Sequence, residues 1–170
     1  MSDLTFRAAT ADDASRMAAL AVEGFETYRA FAPATWVPPT VEAETVLLSQ
    51  RLGDPGAWSM LAEHGADLVG HVAVMPAAIA RRPIDDPRRA HLWQLFVTRA
   101  RWGSGLASRL HDAAVGAAAA RGLTAMRLFT PAGQRRARHF YEREGWSLVE
   151  APKFDDAFGL DVAEYRLNLC

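Results

Sequence analysis

The sequence predicts an α/β layered domain, a mixed β-sheet carrying helices on its faces. Three observations lead there. Strand-like and helix-like apolar periods follow one another in the order β-α-α-β-β-β-α-β-α-β-β, the pattern of a sheet covered by helices. Half of the 170 residues are hydrophobic, enough for a sizeable core, and a single domain over 1–170 is expected. An apolar strand at 91–97 (HLWQLFV) runs through a polar and basic turn holding Gly103, Ser104 and Gly105. It enters a helix in which Leu106, Leu110 and Ala114 repeat every four residues. The strand-helix-strand unit around this turn is expected to be right-handed and parallel.

Residues 4–8 (LTFRA) read as the first strand. Thr10, with Asp12 and Asp13 in the next turn, signals a helix start, and the helix over 11–28 places Met17, Leu20, Ala21 and Phe25 on one face. Residues 31–39 hold three prolines and Trp36 and read as a loop or ordered turn. Thr40 caps a second helix over 41–52, with Glu42 and Glu44 suited to its positive first turn, and Gly53-Asp54-Pro55-Gly56 ends it. Residues 58–63 and 68–75 form a hairpin about His64-Gly65-Ala66-Asp67.

Residues 80–89, with two prolines and four arginines, read as an exposed loop before the central strand. The helix after the glycine turn reaches about 121, where Gly122 stops it. A strand over 124–129, a helix over 134–144 ended by Gly145, and strands at 147–150 and 164–169 complete the order, with 153–161 a long loop. No repeat or linker divides the chain.

No apolar run reaches membrane-spanning length; the alanine-rich stretch at 113–120 is short and bounded by Asp112 and Arg121. The N-terminal residues are acidic and lack the basic-then-apolar layout of a signal peptide. The single Cys170 offers no internal disulfide. A soluble, cytoplasmic protein with no membrane partner is the expectation.

The net charge of −1 is unevenly spread. Residues 81–143 carry 13 of the 19 lysines and arginines and 4 acidic residues, a balance of +9, against −6 for residues 1–80 and −4 for residues 144–170. A basic excess around the glycine turn fits a polyanionic small ligand; the alternative is a solvated arginine face. The chain as a whole is not basic and carries no recognisable reading motif, so nucleic acid is not the expected partner.

Strand, glycine turn and helix start form a phosphate-binding arrangement. Glycine lets the backbone approach an anion closely, and the first turn of a helix offers unpartnered N–H groups at its positive end. A Gly-Ser-Gly turn is also an ordinary loop. It lacks the Lys-Ser/Thr of a P-loop and the third glycine of a dinucleotide fold.

Two segments together resemble the GNAT superfamily of N-acetyltransferases. The pyrophosphate loop of that family, Gln/Arg-x-x-Gly-x-Gly/Ala after a strand ending in valine, falls here on Trp102-Gly103-Ser104-Gly105-Leu106-Ala107. The stretch from Ala137 through Tyr141 to Gly145-Trp146 is similar to the family's tyrosine-bearing helix followed by Gly-aromatic. The opening Phe6-Arg7-Ala8-Ala9-Thr10 with Asp12-Asp13-Ala14 is similar to its first strand and helix, so the likeness spans nearly the whole chain. Trp102 stands where Gln or Arg is usual, with Arg101 one place early; Arg99 replaces a frequent proline and Gln134 a common asparagine.

The resemblance implies a mostly antiparallel mixed sheet flanked by helices, the acyl-CoA N-acyltransferase fold. It also implies acetyl transfer from acetyl-CoA, as co-substrate, to a primary amine of a small molecule or peptide by direct attack on the thioester. It implies no metal, and by analogy a possible homodimer. A non-catalytic acyl-CoA-binding sensor of the same fold, or an unrelated phosphate-binding protein, stays open as an alternative.

On the same resemblance, the amides of Gly103, Ser104, Gly105, Leu106, Ala107 and Ser108 cradle the phosphates, with Trp102 beside them. The backbone of Leu95, Phe96 and Val97 meets pantetheine. Tyr141 protonates the departing thiolate, an act its phenol, with pKa near 10, suits as a general acid; a core tyrosine beside Phe140 is the other reading. Gln134, Arg138 and Tyr141 recur at three- to four-residue spacing and are expected on one helix face toward the cofactor.

A free alkylamine is less than about 0.1% neutral at pH 7, so a base or a depressing environment is needed. His91 stands where the histone-acetylating branch places its glutamate, and histidine titrates in the useful range. Glu63 and His71 in the neighbouring hairpin, or a water chain, are the alternatives. Phe25, Tyr28, Phe31 and Trp36 beside Glu23 and Glu26 suit a cation with an apolar body, or else close the edge of the core.

Overall fold

The computed structural model describes residues 3–169; Met1, Ser2 and the lone Cys170 lie outside them. Eight strands form one sheet: β1 (Leu4–Ala8), β2 (Trp58–His64), β3 (Asp67–Pro76), β4 (Arg89–Val97), β5 (Ala125–Pro131), β6 (Ser147–Leu148), β7 (Lys153–Asp155) and β8 (Leu160–Asn168). The order across the sheet is β1-β2-β3-β4-β5-β8-β6, with β7 paired to β8. Every pairing is antiparallel except β4–β5, the parallel crossover expected around the glycine turn. The helices are α1 (Ala14–Glu26), α2 (Val41–Arg51), α3 (Leu106–Ala120) and α4 (Arg135–Arg143), with short 3-10 turns at Ala11–Asp13, Thr27–Ala30, Ala77–Ile79 and Arg99–Arg101.

Local chemistry explains the ends. Thr40 Oγ1 accepts the Ala43 amide at 3.1 Å, the cap its position implied. Asp13 Oδ2 accepts the Thr10 amide at 2.8 Å, and both Asp13 oxygens take Arg7 at 2.8 Å, which holds that carboxyl far below its ordinary pKa. Met17, Leu20, Ala21 and Phe25 are all buried along α1, as the period predicts.

The core lies on both faces of the sheet. On one, Leu106, Leu110, Ala114 and Ala118 of α3 pack on Val72, Val74, Leu92, Met126 and Leu128. On the other, α1 and α2 bring Met17, Ala18 and Leu48 onto Leu61 and Ala73. Gly70 of β3 admits this packing closely: a Cβ there would lie 2.9 Å from Leu110 Cδ1.

One expectation fails. Residues 153–161 are not a long loop: β7 and β8 make a hairpin with Lys153 opposite Val162 and Asp155 opposite Leu160, and β8 begins at Leu160 rather than 164. The three residues of β7 have no apolar alternation to betray them, since Phe154 is exposed and Asp155 is buried. Asp155 holds the turn by accepting the Phe158 amide at 3.0 Å and pairing with Arg81 and Arg82.

Candidate active site

The site is made by two strands parting. β4 and β5 pair over three positions only: Arg89 with Ala125, Ala90 with Met126, His91 with Arg127. Beyond them β5 stays with β8 and β4 stays with β3. A bulge helps: Ala73 faces Gln94 but Val74 faces Leu92, so Trp93 is the extra residue. Its effect is to reverse the alternation, so that Ala90 and Leu92 before it and Leu95 and Val97 after it join the same core. The gap opened by the parting strands holds two adjoining cavities.

The first, of about 710 Å³, is basic. Leu95, Phe96 and Val97 line one side; Trp102, Gly103, Gly105, Ala107 and Ser108 line the turn; Gln134, Ala137 and Tyr141 line α4. Arg101, Arg136 and Arg143 face it, and no acidic side chain does among the described residues. Gly103 (φ 77°) and Gly105 (φ 84°) sit in the left-handed region, where a Cβ is penalised, and Gly105 starts α3. A helix N-terminus, a strand edge left open by β5 and a lining that holds arginines but, among the described residues, no acidic side chain fit a phosphate-bearing, extended ligand. Gly24 of α1 lets the Phe96 ring stand close, since a Cβ there would fall 2.4 Å from it.

The second cavity, of about 380 Å³, lies across the junction and is aromatic, with Trp93, Phe96, Phe129 and Phe158 among its walls and Glu44, Arg51, Arg81, His91 and Asp155 as its charged or titratable groups besides the tyrosines. Tyr28 and Tyr141 line both cavities. Both phenols are buried, and desolvation pushes both well above the ordinary value near 10. Among the described residues neither hydroxyl has a hydrogen-bond partner.

The sequence-derived residues separate. Trp102 bonds backward: its Nε1 donates to Val97 O at 3.0 Å, while Arg136 stacks 4.0 Å over its ring and Arg99 stands 5.6 Å from it. The Ser104 hydroxyl turns away to donate to Arg101 O at 2.6 Å, and the Leu106 side chain is core. Ser108 Oγ donates to Glu144 at 2.9 Å. Gln134 lines the basic cavity and reaches Thr27 Oγ1 at 3.4 Å. Arg138 is corrected: it leaves the shared face and donates to Tyr165 Oη and Ala132 O, both at 3.0 Å, while Ala137 takes its place at the cavity.

His91 reaches the aromatic cavity but is poorly placed as a base. Its Nδ1 accepts from Arg127 Nε at 3.3 Å, and burial together with Arg127 and Arg81 lowers its pKa to about 3. Arg127 is itself anchored by the carbonyls of Arg81 and Arg82, contacts that a sequence cannot display. Glu63 is also corrected, because Arg7 and Arg16 occupy its carboxylate at 2.9–3.1 Å and lower its pKa. His71 is wholly buried, its pKa lowered by desolvation to about 4, and its Nε2 pairs with Gln94 Oε1 at 2.8 Å. The aromatic group of Phe25, Tyr28 and Trp36 packs with Leu160, closing the core edge, while Tyr28 and Phe25 still face the cavity.

Two residues at the site escaped the sequence reading. Tyr28 lies among the aromatic residues of 25–36, and nothing in the sequence pairs it with Tyr141, with which it lines both cavities. Glu44 read as a first-turn acid, yet it is buried, and its signal was there: it falls one helical turn from Leu48 on the buried stripe of α2. Elsewhere, His111, Asp112 and Glu144 gather within reach of one another. His111 Nε2 accepts the Trp146 indole at 2.8 Å, so Nδ1 carries the proton toward Asp112, 3.1 Å away.

Comparison with known proteins bears on the family and the fold. A family model described as the acetyltransferase (GNAT) family matches residues 22–146. No curated protein matches the chain. Among solved structures, an N-acetyltransferase from Staphylococcus aureus Mu50 superposes with a TM-score of 0.75 at 16% identity, covering 99% of this chain and 100% of that one. A GNAT-family protein from Desulfovibrio desulfuricans gives 0.73 at 22% identity, covering 99% and 100%. The PaiA N-acetyltransferase of Thermoplasma acidophilum, in complex with coenzyme A, gives 0.70 at 16% identity, covering 95% and 98%.

Proposed function

The chain belongs to the acetyltransferase (GNAT) family, and from that premise we propose that it transfers the acetyl group of acetyl-CoA to a primary amine of a small molecule or peptide. The observation that carries the reading is the meeting of a basic and an aromatic cavity at Tyr141, in the gap between β4 and β5. A donor with a phosphate tail and an acceptor with an apolar body would approach from opposite sides and meet at that phenol.

Acetyl-CoA supplies a thioester carbonyl that the neutral amine nitrogen attacks, the C–N bond forming as the C–S bond breaks. The residues do the rest. The Gly103 and Gly105 amides and those of Ala107 and Ser108, at the positive end of α3, receive the pyrophosphate with Arg101 and Arg136 beside them, while the Ser104 and Leu106 amides donate within the turn to Arg101 O and Ser104 Oγ. The free edge of Leu95–Val97 binds the pantetheine amides. Tyr141 keeps its proton because burial raises its pKa, so it stays a donor at neutral pH for the departing sulfur. Tyr28, across the junction, is the second donor available to the reacting oxygen or sulfur. Proton removal from the amine falls to water in the aromatic cavity, since His91, His71 and Glu63 are engaged.

The test is thermal unfolding with acetyl-CoA, with ATP as control, followed by CoA release with a panel of amines. Ligand at about 100 times its Kd adds roughly 2.7 kcal/mol, a rise of several degrees. No rise with acetyl-CoA, or a rise with ATP alone, would overturn the donor assignment.

A further inference from the structure

We infer that Glu44 receives the ammonium group of the acceptor, and that this acceptor carries its primary amine on a bulky apolar, ring-containing body. The inference rests on the acetyl-transfer reading and specifies its second substrate.

Glu44 stands on the wall of the aromatic cavity, 8% exposed. One oxygen, Oε2, accepts Gln94 Nε2 at 3.1 Å. Among the described residues nothing else bonds this carboxylate, and no cation pairs with it. The other buried carboxylates differ. Asp13 is held by Arg7 and Arg16, and Asp155 by Arg81 and Arg82. Of the two arginines on the cavity wall, Arg51 is bonded to Asp54 at 3.1 Å and Arg81 to Asp155. A carboxylate taken out of water without a counter-charge is costly, and burial raises the pKa of this one. A ligand cation supplies the missing charge.

The surroundings hold Glu44 ready for that role. The Gln94 carbonyl oxygen faces His71 Nε2 at 2.8 Å, which turns the amide nitrogen toward Glu44. The Gln94 amide therefore donates to Glu44 and favours its charged form. His71 is fully buried, and its Nδ1 has no partner among the described residues, as expected if the proton resides on Nε2. The chain His71–Gln94–Glu44 thus runs from the interior to the cavity and ends in a carboxylate. Around it, Leu47, Trp93, Phe96, Phe129 and Phe158 offer apolar faces for the body of the amine, and the Tyr28 ring offers a further contact for a cation.

The decisive experiment uses 2-phenylethylamine and tryptamine, with spermidine and 2-phenylethanol as controls, on the wild type and Glu44→Gln. The glutamine keeps an oxygen for Gln94 and removes only the charge. Binding is measured by calorimetry with and without CoA, KM and kcat by CoA release, and acetyl-CoA affinity separately as a check on folding. The expected result is binding of the aromatic amines that weakens roughly 10- to 100-fold in E44Q. KM should rise far more than kcat falls, with acetyl-CoA affinity and 2-phenylethanol binding unchanged. Equal amine affinity and KM in the two proteins would overturn the role of Glu44 and leave acetyl transfer standing. A wild type that prefers spermidine, or binds no aromatic amine, would overturn the substrate class. Amine binding that depends on Glu44 in a protein that does not bind acetyl-CoA would support Glu44 and overturn the donor site instead.

Discussion

The indole nitrogen of Trp102 donates to the carbonyl oxygen of Val97 at 3.0 Å, so the residue that opens the glycine turn is tied to the last residue of the central strand. The family pattern has a long polar side chain at that place. Here the ring is instead a platform, with Arg136 of α4 lying 4.0 Å over it. Trp102→Ala removes one hydrogen bond and one partly exposed cation–π contact, together about 1–2 kcal/mol. Acetyl-CoA affinity is expected to fall roughly 5- to 30-fold by titration calorimetry, with a shallower salt dependence as Arg136 loses its seat.

Tyr141 is buried with an unbonded hydroxyl, so its polar atom adds nothing to folding that the structure reveals. Tyr141→Phe is expected to leave Tm unchanged or slightly higher while kcat falls by about 10²–10⁴, the range for loss of a general acid. An equal rate in the two proteins, measured under single-turnover conditions, would exclude the phenol from proton transfer.

His71 and His91 both have folded-state pKa values lowered by burial, to about 4 and about 3. A lowered histidine pKa means that the unfolded chain binds more protons below about pH 6.5, so stability rises with pH in that window and is lost as pH falls toward the folded values. Between pH 7 and pH 5 each histidine is expected to cost about 2 kcal/mol. Urea unfolding at the two pH values measures the slope, and His71→Gln and His91→Gln should each remove one share of it.

Gly24 separates two tendencies. Alanine is the better helix former by about 1 kcal/mol, which alone would stabilise α1. Its Cβ would fall 2.4 Å from the Phe96 ring, which lines both cavities. Gly24→Ala is therefore expected to displace Phe96 and weaken acetyl-CoA binding by more than it changes Tm, a difference visible by comparing calorimetry with thermal unfolding.

Local signals carried most of the fold. The capping at Thr40, the glycines at 103 and 105, the β2–β3 hairpin and the buried stripe of α1 all lie within a few residues of their cause. The β7–β8 hairpin did not, because Asp155 is fixed by Arg81 and Arg82, more than 70 residues earlier in the chain. The site divides in the same way. Tyr141 and the turn were legible from motif spacing. The disqualification of His91 depends on Arg127, 36 residues away, and the orientation of Arg138 on Tyr165, 27 residues away. Helix periodicity gives a face about 100° wide, too coarse to separate Ala137 from Arg138.

The three backbone pairs between β4 and β5 have one more consequence. Among the described residues they and the Thr124 amide, which donates to Arg88 O at 2.8 Å, are the backbone rungs joining the β1–β4 half of the sheet to the β5–β8 half. A molecule lodged in the gap therefore acts as mortar between two walls. Affinity for that molecule and cohesion of the walls become a single quantity read from opposite ends, so a change that loosens the seam must also loosen the grip, even when it touches no ligand atom.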